Sequence, residues 1–128
     1  MITIEYTGET IESEPGPNFY WRGVPGDYLK VICDLHILGK VYGEKLILND
    51  LPYLKIKDGY LVQASSSKNG NRLVYVNDRK IEIDLDCTIW QQVLAMFLSV
   101  SFYQSHNYVE FDEKTLVEHC NFIISSES

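Results

Sequence analysis

Positive charge is scarce in this sequence: 11 lysine and arginine residues stand against 18 aspartate and glutamate residues, for a net charge of −7. A protein that binds nucleic acid directly needs clustered basic side chains to contact the phosphates. The shortage therefore argues against direct nucleic-acid binding. It favours a basic protein as the partner, because complementary charge speeds encounter and rejects wrong partners.

The acidity is concentrated at the two ends of the chain. Residues 1–14 contain four glutamates and no basic residue, and residues 110–128 contain five acidic residues and one lysine. The 95 residues between these segments carry a charge of +1. Glu110 and Asp112 open the second acidic segment, and we predict that both contact the partner.

Long apolar runs and paired cysteines are also missing. The longest apolar stretch, residues 89–102, is interrupted by four polar residues and is shorter than the roughly 20 residues of a membrane span. The N-terminus has no basic segment followed by an apolar run, so we expect no secretory signal. Three cysteines without a framework spacing indicate reduced thiols. These features predict a cytoplasmic protein that does not bind membranes.

Sequence motifs for catalysis are absent as well. No glycine-rich phosphate loop, nucleophile elbow or His-Glu-x-x-His helix occurs, and the cysteines lack the Cys-x-x-Cys pairs typical of structural zinc. The histidines, His36, His106 and His119, are scattered. We expect no catalytic residue, no metal site and no cofactor. A small enzyme with an unrecognised site near His106 or His119 remains the alternative.

The length of 128 residues predicts a single domain, residues 1–128. Apolar and polar residues alternate over residues 2–6, which is typical of a half-buried strand. Three helices are predicted, with N-terminal caps at Asp27, Thr88 and Asp112. The first should end near Gly39 and the third near Phe122, and the second is apolar on most sides and should be buried.

Residues 46–85 contain five short runs of strand-forming residues separated by turn signals, of which Asp58-Gly59 and Asn77-Asp78 are the clearest. Strands this closely spaced leave no room for helical crossovers, so an antiparallel arrangement is expected. The predicted fold class is α+β, an antiparallel β-meander packed on one face by two or three helices.

One face of the predicted meander is unusual in composition. Strand alternation brings Leu73 and Tyr75 to the same face as Glu82 and Asp84, and Asp86 continues the acidic alternation. Tyrosine combines a large contact area with a polar tip and is enriched in interfaces. We therefore predict that Tyr75, Glu82, Asp84 and Asp86 contact a basic partner, and the alternative is an ordinary solvated face.

A second interface candidate is the aromatic segment Phe19–Arg22, which is flanked by prolines and glycines and is predicted to be a loop. Tryptophan, tyrosine and arginine are the residue types that most often dominate binding energy. Trp21 is the predicted anchor of this segment. The alternative is a loop folded onto the core.

The stretch Asn18–Lys30, continuing into Leu35–Lys40, resembles the small immunity proteins of bacterial contact-dependent growth inhibition, as do the chain's acidity and small size. This resemblance implies a cytoplasmic inhibitor that binds and neutralises a cognate toxin domain, usually a nuclease. Toxins that cleave nucleic acid tend to have basic surfaces, which suits an acidic inhibitor. An adaptor module of a larger assembly is the remaining alternative.

Overall fold

A computed structural model describes residues 1–8, 17–103, 107–109 and 121–126. Within these ranges the chain forms two α-helices, α1 (Pro25–Leu35) and α2 (Cys87–Tyr103), and nine strands. The strands are β1 (Ile2–Thr7), β2 (Asn18–Gly23), β3 (Lys45–Ile47), β4 (Leu54–Ile56), β5 (Leu61–Ser66), β6 (Asn71–Asn77), β7 (Lys80–Leu85), β8 (Asn107–Val109) and β9 (Asn121–Ser126).

The strands form two sheets. The five-stranded sheet has the order β4-β1-β2-β9-β8, in which β4 runs parallel to β1 and β9 parallel to β2. The four-stranded sheet has the order β3-β5-β7-β6, in which β5 and β7 are parallel. Helix and strand content confirms the predicted α+β class.

The meander is only partly confirmed. The β6–β7 hairpin is antiparallel as predicted, but its two-residue loop is Asp78-Arg79, so that Tyr75 lies opposite Glu82. The hairpin predicted at Asp58-Gly59 does not form, because β4 joins the other sheet beside β1. The parallel pair arises without a helical crossover because β6 itself connects β5 to β7 and β7 inserts between them.

One face of the helix α2 is buried in the core, whereas the opposite face, with Leu98 and Phe102, is exposed, so its predicted burial is confirmed only in part. Trp90, Val93, Phe97 and Val100 have exposed fractions of 1% or less and belong to one hydrophobic cluster with residues of both sheets. The indole nitrogen of Trp90 donates a 2.8 Å hydrogen bond to the carbonyl of Ser65 in β5. This bond satisfies the one polar atom that the buried ring brings into the core.

The predicted aromatic loop is a strand, β2, at the centre of the five-stranded sheet. Aromatic residues favour strands, and the flanking prolines and glycines mark its ends instead of continuing through it. Phe19 and Trp21 face the helices, whereas Tyr20 points to the opposite face and is also buried, at 5% exposure. Burial on both faces removes the apolar-polar alternation by which a strand is recognised.

The helix ends differ in detail from the predictions. Asp27 lies inside the first turn of α1, where it accepts hydrogen bonds from the amino group of Met1 and from Lys30, and these bonds lower its pKa. The predicted third helix lies outside the described residues except at its end, where Asn121 and Phe122 belong to β9. No helix in the described ranges is long and apolar enough to cross a membrane.

Candidate functional site

The outer face of the four-stranded sheet collects three of the seven predicted partner-binding residues, Tyr75, Glu82 and Asp84. Register aligns its side chains in two rows across the strands, in the order β3, β5, β7 and β6. The side chains that alternate with them, such as Val62, Ala64 and Ile81, are buried beneath the sheet. The first row is Lys45, Ser65, Asp84 and Arg72, and the second is Ile47, Gln63, Glu82 and Tyr75.

Leu73 does not belong to this face. The register between β6 and β7 shifts between Arg72 and Tyr75, as a β-bulge does. The extra residue turns both Leu73 and Val74 inward, where they are 1% and 3% exposed. It also returns Arg72 to the outer face, opposite Asp84, a position that strict alternation does not predict.

Glu82 is the most heavily paired group on the outer face. Its carboxylate lies 3.0 Å from Lys80 Nζ and 3.7 Å from Arg72 Nη1. The Arg72 guanidinium also lies 4.3 Å from the centre of the Tyr75 ring, in a cation–π contact. The acidic side chain predicted beside Tyr75 is therefore paired with cations of the same face.

Asp84 lies at the edge of a pocket of about 280 Å³ on the same face. Its two carboxylate oxygens accept hydrogen bonds from Ser65 Oγ at 2.9 Å and from Ser67 Oγ at 2.7 Å. Lys45, Gln63, Arg72 and Glu82 also line the pocket. The sequence did not single out these serines because the pairing of β5 with β7 joins residues 19 positions apart.

Asp86 has a structural role at the start of α2. Its carboxylate accepts hydrogen bonds from the backbone amide and the hydroxyl of Thr88 at 2.9 and 2.8 Å, and also contacts the Asn69 amide and the Tyr42 hydroxyl. The N-terminal cap is therefore Asp86, two residues before the predicted one. Hydrogen bonds from Thr88 lower the pKa of Asp86.

Replacing Asp86 with alanine should lower the melting temperature by about 5 °C at neutral pH, because the cap and two loop contacts are lost. The folded-state pKa is lowered, so this stabilisation is present above the ordinary carboxyl pKa of 3.8 and is lost as the pH falls through the folded value. In thermal melts from pH 7 to pH 3, the difference from the wild type should narrow once the pH falls below 3.8. Asp86→Asn, which retains a cap oxygen, is the matched control.

Trp21, the predicted anchor of an exposed loop, is a core residue with an exposed fraction of 1%. Its ring lies 5.0 Å from that of Phe97 and 5.8 Å from that of Phe122, measured between ring centres. The side chain is therefore out of reach of a partner in this fold.

Glu110 and Asp112 lie outside the described residues, but the ends of their segment are fixed. The register pairs Thr7 with Asn18, Asn18 with Asn121 and Val109 with Phe122. One end of the five-stranded sheet therefore contains four strand ends: the end of β1, the start of β2, the end of β8 and the start of β9. Both acidic segments, residues 9–16 and 110–120, are therefore attached at each of their ends to this end of the sheet.

Two asparagines join the chain at this end of the sheet. Asn121 Nδ2 donates a 2.9 Å hydrogen bond to Asn18 Oδ1, and the Asn121 backbone amide donates to the Pro17 carbonyl at 3.1 Å. Asn18 is fully buried, although asparagine usually lies at the surface. The two asparagines thus fix the relative positions of the two segment ends.

A second pocket, of about 300 Å³, lies against the outer side of α1 and is lined by Leu29, Lys30, Cys33, Asp34 and Tyr53. The Tyr53 hydroxyl donates a 2.6 Å hydrogen bond to Asp34, and burial together with this carboxylate raises the pKa of Tyr53. Helical periodicity missed this groove because Leu29 and Cys33 lie on the side of α1 that the pattern assigns to solvent.

Of the three histidines, only His36 lies within the described residues. His36 is exposed in the short 3-10 turn after α1, and His106 and His119 lie outside the described ranges. No group of three potential metal ligands occurs among the residues that the structure describes.

Comparison with known proteins adds no family to this description. No protein-family model, no curated protein and no solved structure matches the chain.

Proposed function

We propose that this protein is an immunity protein that binds and neutralises a basic toxin domain in the bacterial cytoplasm. The observation that carries the proposal is that the strand ends flanking both acidic segments lie together at one end of the five-stranded sheet. Electrostatic attraction to a basic surface is strongest when like charges act from one side of a molecule.

The distribution of charge along the chain also supports this end of the sheet as the binding surface. The described residues contain ten acidic and ten basic side chains. The net charge of −7 therefore comes from the other residues, and most of it from segments 9–16 and 110–120. Segment 9–16 contributes three glutamates, and segment 110–120 contributes four acidic residues and one lysine.

The class of partner follows from this charge distribution. A nuclease domain needs basic residues to bind the phosphates of its substrate, and an acidic inhibitor is attracted to the same residues. The resemblance to contact-dependent growth inhibition immunity proteins points to the same class. The inhibitor can compete with nucleic acid without containing any catalytic group of its own.

We expect the neighbouring gene to encode a toxin-like protein, and the first test is binding by that protein, purified as an inactive variant. We expect one-to-one complexes in isothermal titration calorimetry, and weaker binding as salt is raised from 50 to 500 mM because exposed charges are screened. Absence of binding at 50 mM salt would reject the proposal. Turnover of a substrate by this protein alone, abolished by His106→Ala or His119→Ala, would support the enzyme alternative.

A further inference from the structure

Asp84 is a carboxylate with no cationic partner among the described residues. Arg72 is its register neighbour in β6, but the guanidinium leans instead towards Glu82 and covers the Tyr75 ring. No lysine or arginine of the described chain lies within ion-pair distance of Asp84. On the outer face of the four-stranded sheet, Glu82 has two cationic partners and Asp84 has none.

The Asp84 carboxylate is nevertheless fixed in position. Ser65 and Ser67 each donate a hydroxyl hydrogen bond to a different oxygen of it. A carboxylate accepts about four hydrogen bonds, so each oxygen keeps capacity for another donor. The surrounding pocket, of about 280 Å³, is concave and lined by polar groups.

We propose that this pocket receives one lysine or arginine side chain of the basic partner, with Asp84 as its acceptor. The inference rests on the proposed function. It adds a contact on the four-stranded sheet, separate from the end of the five-stranded sheet to which the acidic segments are attached. A fixed carboxylate gains more from a charge-assisted hydrogen bond than a mobile one, because less side-chain entropy is lost on binding.

Neighbouring positive charges do not prevent this contact. Arg72 is drawn towards Glu82, whose single charge it shares with Lys80, and away from Asp84. Lys45 stands two strands away from Asp84, across Ser65, and is exposed to solvent. Strands are spaced about 4.8 Å apart, so the two residues are about 10 Å apart at the backbone, where water and salt screen their effect.

The direct probe is N-acetyl-arginine amide, with N-acetyl-citrulline amide as its neutral analogue. In titrations followed by amide chemical shifts, the arginine probe should shift Ser65, Ser67 and Asp84, and the citrulline probe should bind at least about tenfold more weakly. Asp84→Asn should remove the arginine response. Asp78→Asn, which removes one exposed acid at the tip of the same hairpin, should retain it.

A second variant, Ser67→Ala, frees one carboxylate oxygen and should weaken arginine binding while leaving the charge unchanged. Equal shifts with citrulline, shifts confined to other residues, or an unchanged response in Asp84→Asn would each overturn the pocket assignment. Preferential binding of N-acetyl-aspartate amide would overturn it too, in favour of Lys45. These titrations do not use the toxin, so their failure is distinguishable from failure of the proposed function.

Discussion

Replacing Trp21 with alanine should lower the free energy of unfolding by about 4 kcal/mol. The Trp21 ring is 1% exposed and packs among Phe19, Phe97 and Phe122, with ring-centre distances from 5.0 to 6.1 Å. Its removal leaves a cavity where β2 meets α2, and neighbouring aromatic rings cannot close it fully. Urea denaturation followed by circular dichroism measures the change.

Phe102→Ala is the matched control, because Phe102 is aromatic, lies in α2 and is 72% exposed. It should change the unfolding free energy by less than about 0.5 kcal/mol. Trp21→Phe should fall between the two, since the Trp21 indole nitrogen has no hydrogen-bond partner among the described residues and only ring volume is lost. Equal effects of Trp21→Ala and Phe102→Ala would contradict the assignment of Trp21 to the core.

Neutralising Glu9, Glu12 and Glu14 together to glutamine should slow association with the basic partner about tenfold at 50 mM salt. These three glutamates are joined to the end of the sheet where both acidic segments begin and end. Long-range attraction acts mainly on the association rate, so the dissociation rate should change much less. Stopped-flow mixing at several salt concentrations measures both rates.

The matched control removes three acids elsewhere, by Asp50→Asn, Asp58→Asn and Asp78→Asn. All three are exposed, and asparagine tolerates the positive φ angles of Asp58 and Asp78. The control variant has the same net charge as the glutamine variant and should slow association less than about threefold. If both variants slow association equally, the net charge drives encounter and the position of the three glutamates does not.

Local patterns predicted the elements more successfully than their pairing. The alternation of residues 2–6 and the helix at α2 each depend on near neighbours, and both were confirmed, although only one face of α2 is buried. The pairing of β5 with β7 and of β4 with β1 joins distant residues, and no local signal distinguishes it from a meander. The signal at Asp58-Gly59 correctly predicted a turn, but the two strands beside this turn do not form a hairpin.

The candidate site was predictable to the same limited extent. Alternation correctly brought Tyr75, Glu82 and Asp84 to one face. It could not predict that Arg72 neutralises Glu82, because the bulge at residues 73–74 resets the alternation. The predicted helix cap, Thr88, lies two residues after the observed cap, Asp86, since several polar side chains near a helix start satisfy the same pattern.

The most direct test of the proposed immunity function is growth of a sensitive bacterium that expresses, in active form, the toxin-like protein that we expect the neighbouring gene to encode. Co-expression of the wild-type chain should restore growth, and the Glu9, Glu12 and Glu14 glutamine variant should restore it less than the variant altered at Asp50, Asp58 and Asp78. Killing that continues unchanged when the wild-type chain is present in excess would contradict the proposal.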